Sequence, residues 1–382
     1  MTGKNIRIEV NNAVFSLPYH VARERGFFGD EGLHVELIPA GSGRDRDKEV
    51  PETPIEDHRA VQSYGWHEGI EAGEYSLYRA CEWGQIRRTQ DSRQGARVIS
   101  KRAAVATQAI VVRGDAPYNV PADLHGVLVA VNMHAGSHYV TLAMLEGSLA
   151  RSEIRPGHVG GPRQRLRFLE DGKVGAAALM EPWITVAVKR GHKIICEAFY
   201  EGAEVGVPSL DPDAYASVDR AIRKAVDSIN ESIRPSLKYM IREVPKEIAA
   251  LGEDDFYPGR FRYVYPRPYT AEEYDRIYTW MVDRDLLSPE SRFDAIVDGR
   301  LGACGPSPHA GDRAADRDCP PARRTAGSIT GRRSPTPGSR TRSARDGALD
   351  RSLRISASGG PDGLDGRGRR DLGLLRTQHR QH

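Results

Sequence analysis

From Ile6 to Val10 the apolar residues fall at every second position, the period of a strand with one buried face. Ser16 offers a helix cap with Pro18 in the first turn, the helical run carries to Arg25, and Gly26 stops it. Leu33–Ile38 reads as the next strand. Residues 41–66 are polar, charged and broken by Pro51 and Pro54, which predicts a long loop and an ill-defined helix. Strands follow at Tyr75–Tyr78, Arg97–Ser100 and Gln108–Val112, with a helix from Cys81 to about Gln90 after the first of them. Strands at Val127–Val131, Gly175–Met180 and Lys193–Glu197 then alternate with helices at Ser137–Glu146, Pro162–Leu169 and Pro182–Lys189. Beyond residue 200 the period changes. Val218, Ile222, Ala225, Val226, Ile229 and Ile233 recur at spacings of three and four, one buried face of a long helix that Pro235 kinks or ends. A last helix, Ala271 to about Asp283, closes the patterned part.

Strands alternating with helices predict an α/β protein with helices flanking mostly parallel sheets. At 382 residues the chain can build two domains with separate cores. The chain is expected to cross between lobes at Arg97–Ser100 and Gln108–Val112. Residues 1–105 with part of 200–302 then form the first lobe and 106–199 the second.

Composition breaks near residue 302. From Ala303 to His382 there are 16 Arg and 8 Asp, with no Lys, Glu, Val, Phe, Tyr or Trp. That stretch carries about +8, whereas residues 1–302 hold 39 basic against 44 acidic residues, about minus 5. Too little apolar surface exists there to offset ordering entropy, so a disordered tail is expected. Its composition resembles a GC-rich gene read out of frame, with a frameshift near Arg300 to Cys304. Arg is interleaved with Asp, Pro and Gly and no aromatic is present for stacking, which argues against a nucleic-acid partner. Cys81, Cys196, Cys304 and Cys319 show no CxxC spacing, so neither a disulfide nor a cysteine zinc site is expected. The opening MTGKNIRIEV enters a strand pattern at once, which places the chain as written in the cytoplasm, and outside it if the true start lies upstream. No apolar run reaches the length of a membrane span.

Four segments, in order, carry a resemblance: Ser16–Pro39 (SLPYHVARERGFFGDEGLHVELIP), Val120–Val131 (VPADLHGVLVAV), the Gly136-Ser137 turn, and Leu169–Ala187 (LEDGKVGAAALMEPWITVA). Together they resemble the substrate-binding proteins for sulfonates, nitrate and thiamine precursors, the group that also holds the thiamine-pyrimidine synthases. The resemblance implies a two-lobed periplasmic-binding-protein type II fold over residues 5 to 200, continued by the helical remainder to about 300. It implies a small-molecule ligand between the lobes and an ABC permease as a candidate partner. Three departures stand out. Gly73-Glu74-Tyr75-Ser76 and the bulky Arg79–Arg88 replace a small-residue loop and an Asp. The His and the cysteine-rich run of the thiamine-pyrimidine synthases are missing. Ala13 stands where related aromatic desulfinases carry a nucleophilic Cys.

In such folds ligands lie outside the carboxyl ends of strands. That rule selects Asn11, Asn12, Cys81, Glu82, Trp83, Asn132, His134, Ser137, His138, Glu181 and Trp183. Ser137 opens a helix, where free N–H groups favour an anion, or is an ordinary cap. His134 and His138 are spaced H-x-x-x-H without a third ligand, so no metal is expected; either can donate to an anion or act as a base. Trp83 and Trp183 come from opposite lobes and can sandwich a planar ligand, or each can pack on its own lobe. Cys81 beside Glu82 forms a candidate nucleophile and base, or a buried thiol. Glu181 can pair with an amine or hold a helix start. Arg102 is a candidate carboxylate clamp near the crossover.

Two functions follow from different classes. The first is a solute receptor that binds a small acidic, aromatic or heterocyclic ligand. The alternative is a cytosolic lyase or hydrolase of the decarboxylase, desulfinase or dehydratase type on the same fold, with His138, Cys81 and Glu82 as its catalytic residues. A ligand-sensing regulator is a third. GxGxxG and GxxxxGKS are absent, so no nucleotide cofactor is implied.

Overall fold

The computed structural model describes residues 4–40, 50–62 and 68–299. The expected tail from Ala303, and Cys304 and Cys319 with it, lie outside the described residues, as does much of the 41–66 loop. In chain order the elements are β1 (Lys4–Val10), α1 (Ala13–Glu24), α2 (Phe27–Asp30), β2 (Leu33–Pro39), α3 (Glu68–Glu71), β3 (Leu77–Cys81), α4 (Glu82–Gln90) and β4 (Arg97–Lys101). They continue with β5 (Ala104–Val112), β6 (Leu128–Val131), α5 (Gly136–Leu145), β7 (Arg155–His158), α6 (Pro162–Glu170), β8 (Ala176–Met180), α7 (Trp183–Lys189) and β9 (Lys193–Tyr200). The remainder is β10 (Gly202–Gly206), α8 (Pro212–Glu231), α9 (Leu237–Glu243), β11 (Phe261–Tyr263), α10 (Ala271–Val282) and α11 (Phe293–Ile296).

Two sheets form. The first has the order β2-β1-β3-β10-β4, and the second β11-β5-β8-β6-β7 with β9 also on β5. The expectation of mostly parallel sheets is corrected: β1 with β2 and β3, and β6 with β7 and β8, are parallel, but β10 and β5 pair antiparallel with every partner. In the first sheet the physical reason is β10, which carries Gly202 and Gly206 at its ends and reads as no strand on its own. It follows β9 within two residues and turns back between β3 and β4.

The chain passes between sheets twice in close proximity, at Arg102–Ala103 and at Glu201, where Arg102 N donates to Gly202 O at 3.0 Å. A Cβ on Gly202 would stand 2.2 Å from Ala80 O and 2.4 Å from Arg102 Nε, so only glycine permits this approach. β5 alternates between two cores. Ile110 and Val112 face one that runs from the first sheet across to the second, while Ala109 and Val111 face another under α6 and α7.

Three local readings are corrected by the backbone. α1 begins at Ala13, so Ser16 lies inside the helix, where its Oγ accepts the Asn11 N–H at 3.0 Å. Pro18 falls in the second turn. Its missing N–H leaves the Val14 carbonyl free, and Tyr263 donates its hydroxyl to that oxygen at 3.1 Å. α5 starts at Gly136 with Ala135 as cap, so Ser137 is not the cap. α8 stops at Glu231, which leaves Ile233 outside the helix.

Candidate functional site

The residues selected from the strand ends separate into groups with different duties. Asn11 ties β1 to β3 by donating from its amide to Arg79 O at 2.6 Å. Ser137 Oγ accepts the Asn132 N–H at 2.8 Å, which fixes the turn between β6 and α5 and commits the hydroxyl to the fold. Glu181 is fully buried. One of its oxygens accepts the Thr185 N–H and hydroxyl, holding the start of α7, and the other faces Arg260 Nη1 at 3.4 Å. Burial raises its carboxyl against these partners.

Cys81 caps α4 through Sγ, which accepts the Gly84 N–H at 3.3 Å, and burial pushes the thiol up. Glu82 pairs with Lys101 and accepts the Tyr269 hydroxyl at 3.3 Å; Lys101 also reaches Glu201 at 3.1 Å. His134 sits in the left-handed region at φ 57°. Its Nε2 lies 2.8 Å from His58 O, and its carbonyl accepts Arg88 Nη2 at 3.0 Å, a bond from α4 to the turn before α5. His138 Nδ1 accepts the His134 N–H at 3.4 Å. Burial lowers His134 to about 4 and His138 to about 3, so both are neutral near pH 7. No hydrogen bond joins Cys81, Glu82 and His138 among the described residues. Likewise, no group of three or more His, Cys, Asp or Glu among them is placed to hold a metal.

The two tryptophans do not meet. Trp83 lies in the first core with ring centroids 6.2 Å from Tyr139, 6.1 Å from Tyr200 and 6.4 Å from Trp280. Trp183 belongs to the second core, and its indole faces Glu243. Asn12 donates to that same carboxylate at 3.2 Å.

A more compact chemical constellation centres on Tyr200, at the end of β9 where the chain leaves the second sheet. A Cβ on Gly136 would stand 2.8 Å from the Tyr200 hydroxyl, so that oxygen rests against the first residue of α5. Arg102 is buried, with its guanidinium carbon 4.2 Å from the Phe15 ring centre and 5.2 Å from that of Tyr200. It donates from Nε to Ala104 O at 2.7 Å and from Nη2 to Tyr200 O at 3.5 Å, while Nη1 has no partner. Arg165, on α6, is 1% exposed and donates from Nη1 to Ala178 O, leaving Nε unpaired. Burial brings Arg165 down to about 9, still charged at neutral pH, with Tyr200 acting in the opposite sense. Burial raises Tyr200 to about 12, against the pull of Arg102 and Arg165. Among the described residues neither arginine has a carboxylate partner. Tyr139 Oη, on α5, is also buried and unpaired.

Of these residues, sequence reasoning selected Arg102 and Trp83 and missed Arg165, Tyr200, Tyr139 and Glu243. Arg165 sits in a helix, four residues after its cap, and nothing in PRQRLRFLE distinguishes it from the exposed Arg163 and Arg167 except its place on the apolar face beside Leu166 and Leu169.

No protein-family model matches the chain, and no curated protein matches it. Solved structures do, and they define the class: the chain has the two-lobed α/β fold of periplasmic substrate-binding proteins. The alkanesulfonate-binding protein SsuA of Xanthomonas axonopodis pv. citri, bound to MOPS, is similar with a TM-score of 0.57 at 14% identity, over 78% of this chain and 99% of that one. The ligand-binding component of an ABC-type import system from Staphylococcus aureus, with zinc bound, gives 0.59 at 12% identity, over 78% and 98%. A mutant of DszB in complex with biphenyl-2-sulfinic acid gives 0.52 at 14% identity, over 79% and 99%. Among the described residues no helix is long and apolar enough to cross a membrane.

Proposed function

We propose that this protein is a receptor for a small organic acid, held between the lobes around Tyr200 and passed to an ABC-type permease. One observation carries the reading. Arg102 and Arg165 are both buried and charged, both influence Tyr200, and both leave an N–H unpaired with no carboxylate to balance them. A buried cation without a counter-charge costs free energy, and an acidic ligand restores the balance. The surrounding rings of Phe15, Trp83, Tyr139 and Tyr200 suit an acid with an aromatic or heterocyclic body. The similarity to SsuA and to the DszB complex supports a sulfonate or sulfinate as the acidic group, and a carboxylate carries the same single charge.

Binding is favoured over catalysis because the residues a lyase or hydrolase would use are committed elsewhere. The Cys81 thiol is held protonated and Glu82 is consumed by Lys101. His138, lowered to about 3, is a weak base. The test is calorimetric titration with alkyl and aryl sulfonates, sulfinates and carboxylates beside their neutral amides. Acids should bind and be recovered unchanged, and Arg102→Met should weaken them by ~30-fold, the loss of one charge-assisted contact of ~2 kcal/mol. Equal binding of neutral amides, or turnover of the acid, overturns the reading.

A further inference from the structure

Away from Tyr200, a second charge stands at the junction of the lobes, and it belongs to the chain itself. The N-cap of α1, Asn12, makes no side-chain bond to its own helix. Instead the Ala13 N–H donates to Glu243 Oε2 at 2.7 Å, and the Asn12 amide donates to Glu243 Oε1 at 3.2 Å. The indole of Trp183, the first residue of α7, faces the same carboxylate and acts to hold its pKa down. Glu243 therefore caps α1 from more than 200 residues away and joins it to α7. α1 follows β1 of the first sheet, and α7 follows β8 of the second.

The backbone around Glu243 explains how it reaches both. α9 buries Leu237 and Met240 in the core that includes the first sheet, and Val244, directly after Glu243, enters the core under α6 and α7. Glu243 is thus the residue at which the chain steps from one core to the other. Its two donors and the facing indole are neutral, and no Lys or Arg forms an ion pair with it among the described residues. Burial raises its carboxyl, while Ala13, Asn12 and Trp183 act to lower it. Two convergent donors, one of them at the positive end of a twelve-residue helix, with the Trp183 indole facing the same carboxylate, are suited to any single carboxylate or sulfonate oxygen pair.

We propose that Glu243 is an internal anion that holds the two lobes in the arrangement seen here, and that a small carboxylate or sulfonate from solution takes over its place when the side chain is removed. Glu243 is a positioning residue in this role, and the proposal stands whether or not the Tyr200 site binds the ligand. It places a second anion position in the molecule, already filled, beside the one around Tyr200.

The experiment is chemical rescue of Glu243→Ala, with sodium acetate, formate and methanesulfonate as probes, read by thermal unfolding and by small-angle scattering. Sodium chloride at matched ionic strength and acetamide serve as controls. Without added anion, the variant should melt several degrees below the wild type and scatter as a more open particle. Acetate should restore both readings saturably, half-maximal at roughly millimolar to tens of millimolar concentration, as expected of a small ion with few contacts. The wild type, whose position is filled, should not respond. Adding Trp183→Phe to Glu243→Ala should weaken the acetate response several-fold. If Glu243→Ala is too unstable to purify, Glu243→Gln keeps one acceptor oxygen and should show a smaller loss with no rescue, because the amide still fills the space. A Glu243→Ala protein that melts and scatters as the wild type does, or acetate acting equally on both, overturns the proposal.

Discussion

Replacing Arg165 by Met separates what serves the fold from what serves the ligand. The guanidinium is 1% exposed, makes one hydrogen bond, to Ala178 O, and leaves Nε unpaired. Its pKa falls from the ordinary 12.5 to about 9, mainly through burial, so the charged form is penalised in the folded state by on the order of 5 kcal/mol. Methionine has a similar length and no charge, which removes that penalty. The substitution loses the bond to Ala178 O and leaves the carbonyl short of one donor, a cost of about 1–3 kcal/mol. The net expectation is an unliganded protein more stable by about 3 kcal/mol, a rise of roughly 4–5 °C in the unfolding midpoint for a chain of this size. Affinity for the acidic ligand should fall at least ~10-fold in the same variant, since the compensating charge is gone. Thermal unfolding without ligand and calorimetry with the acid panel measure the two effects independently. A variant that melts several degrees lower while binding acids as before would refute the assignment and make Arg165 a structural residue.

Two further outcomes follow from the geometry. His138 is neutral in the folded protein with a pKa near 3, whereas an unfolded histidine titrates near 6.5, so the unfolded chain binds more protons as pH falls through that window and stability drops. The difference in unfolding free energy between the wild type and His138→Gln should therefore change by on the order of 3 kcal/mol between pH 7 and pH 4, measured by denaturant titration, and a pH-independent difference would exclude a buried neutral imidazole. Gly202→Ala forces a methyl into contact with Ala80 O and Arg102 Nε where the chain crosses between sheets, and should destabilise by more than about 3 kcal/mol; an unfolding midpoint within 2 °C of wild type would show that the crossover is looser than the contacts indicate.

Ring packing decided the fate of the two tryptophans. Their positions after β3 and β8 were legible, because a strand followed by a helix is a local pattern, but which core each ring enters depends on helix orientation. Trp83 turned toward Tyr139 and Tyr200, and Trp183 toward Glu243. As placed, the pair frames no shared ligand.

What the sequence by itself determined is the succession of locally encoded units: β1 into α1, β6 into α5, β8 into α7, and the apolar face of α8. In each, the period of the side chains and the turn residues act within a dozen positions, so the information is contiguous. Tertiary structure alone decided β10 and β11, which are too short and too glycine-rich or polar to announce themselves and exist because β3, β4 and β5 offer open edges. It also decided the chemistry. Arg102 meets Tyr200 across 98 residues, and Glu243 meets Ala13 across 230. Ser137, the residue the local pattern marked most clearly for an anion, spends its hydroxyl on Asn132. Charge balance in a buried site is a property of everything that packs around it, and no window along the chain contains that sum.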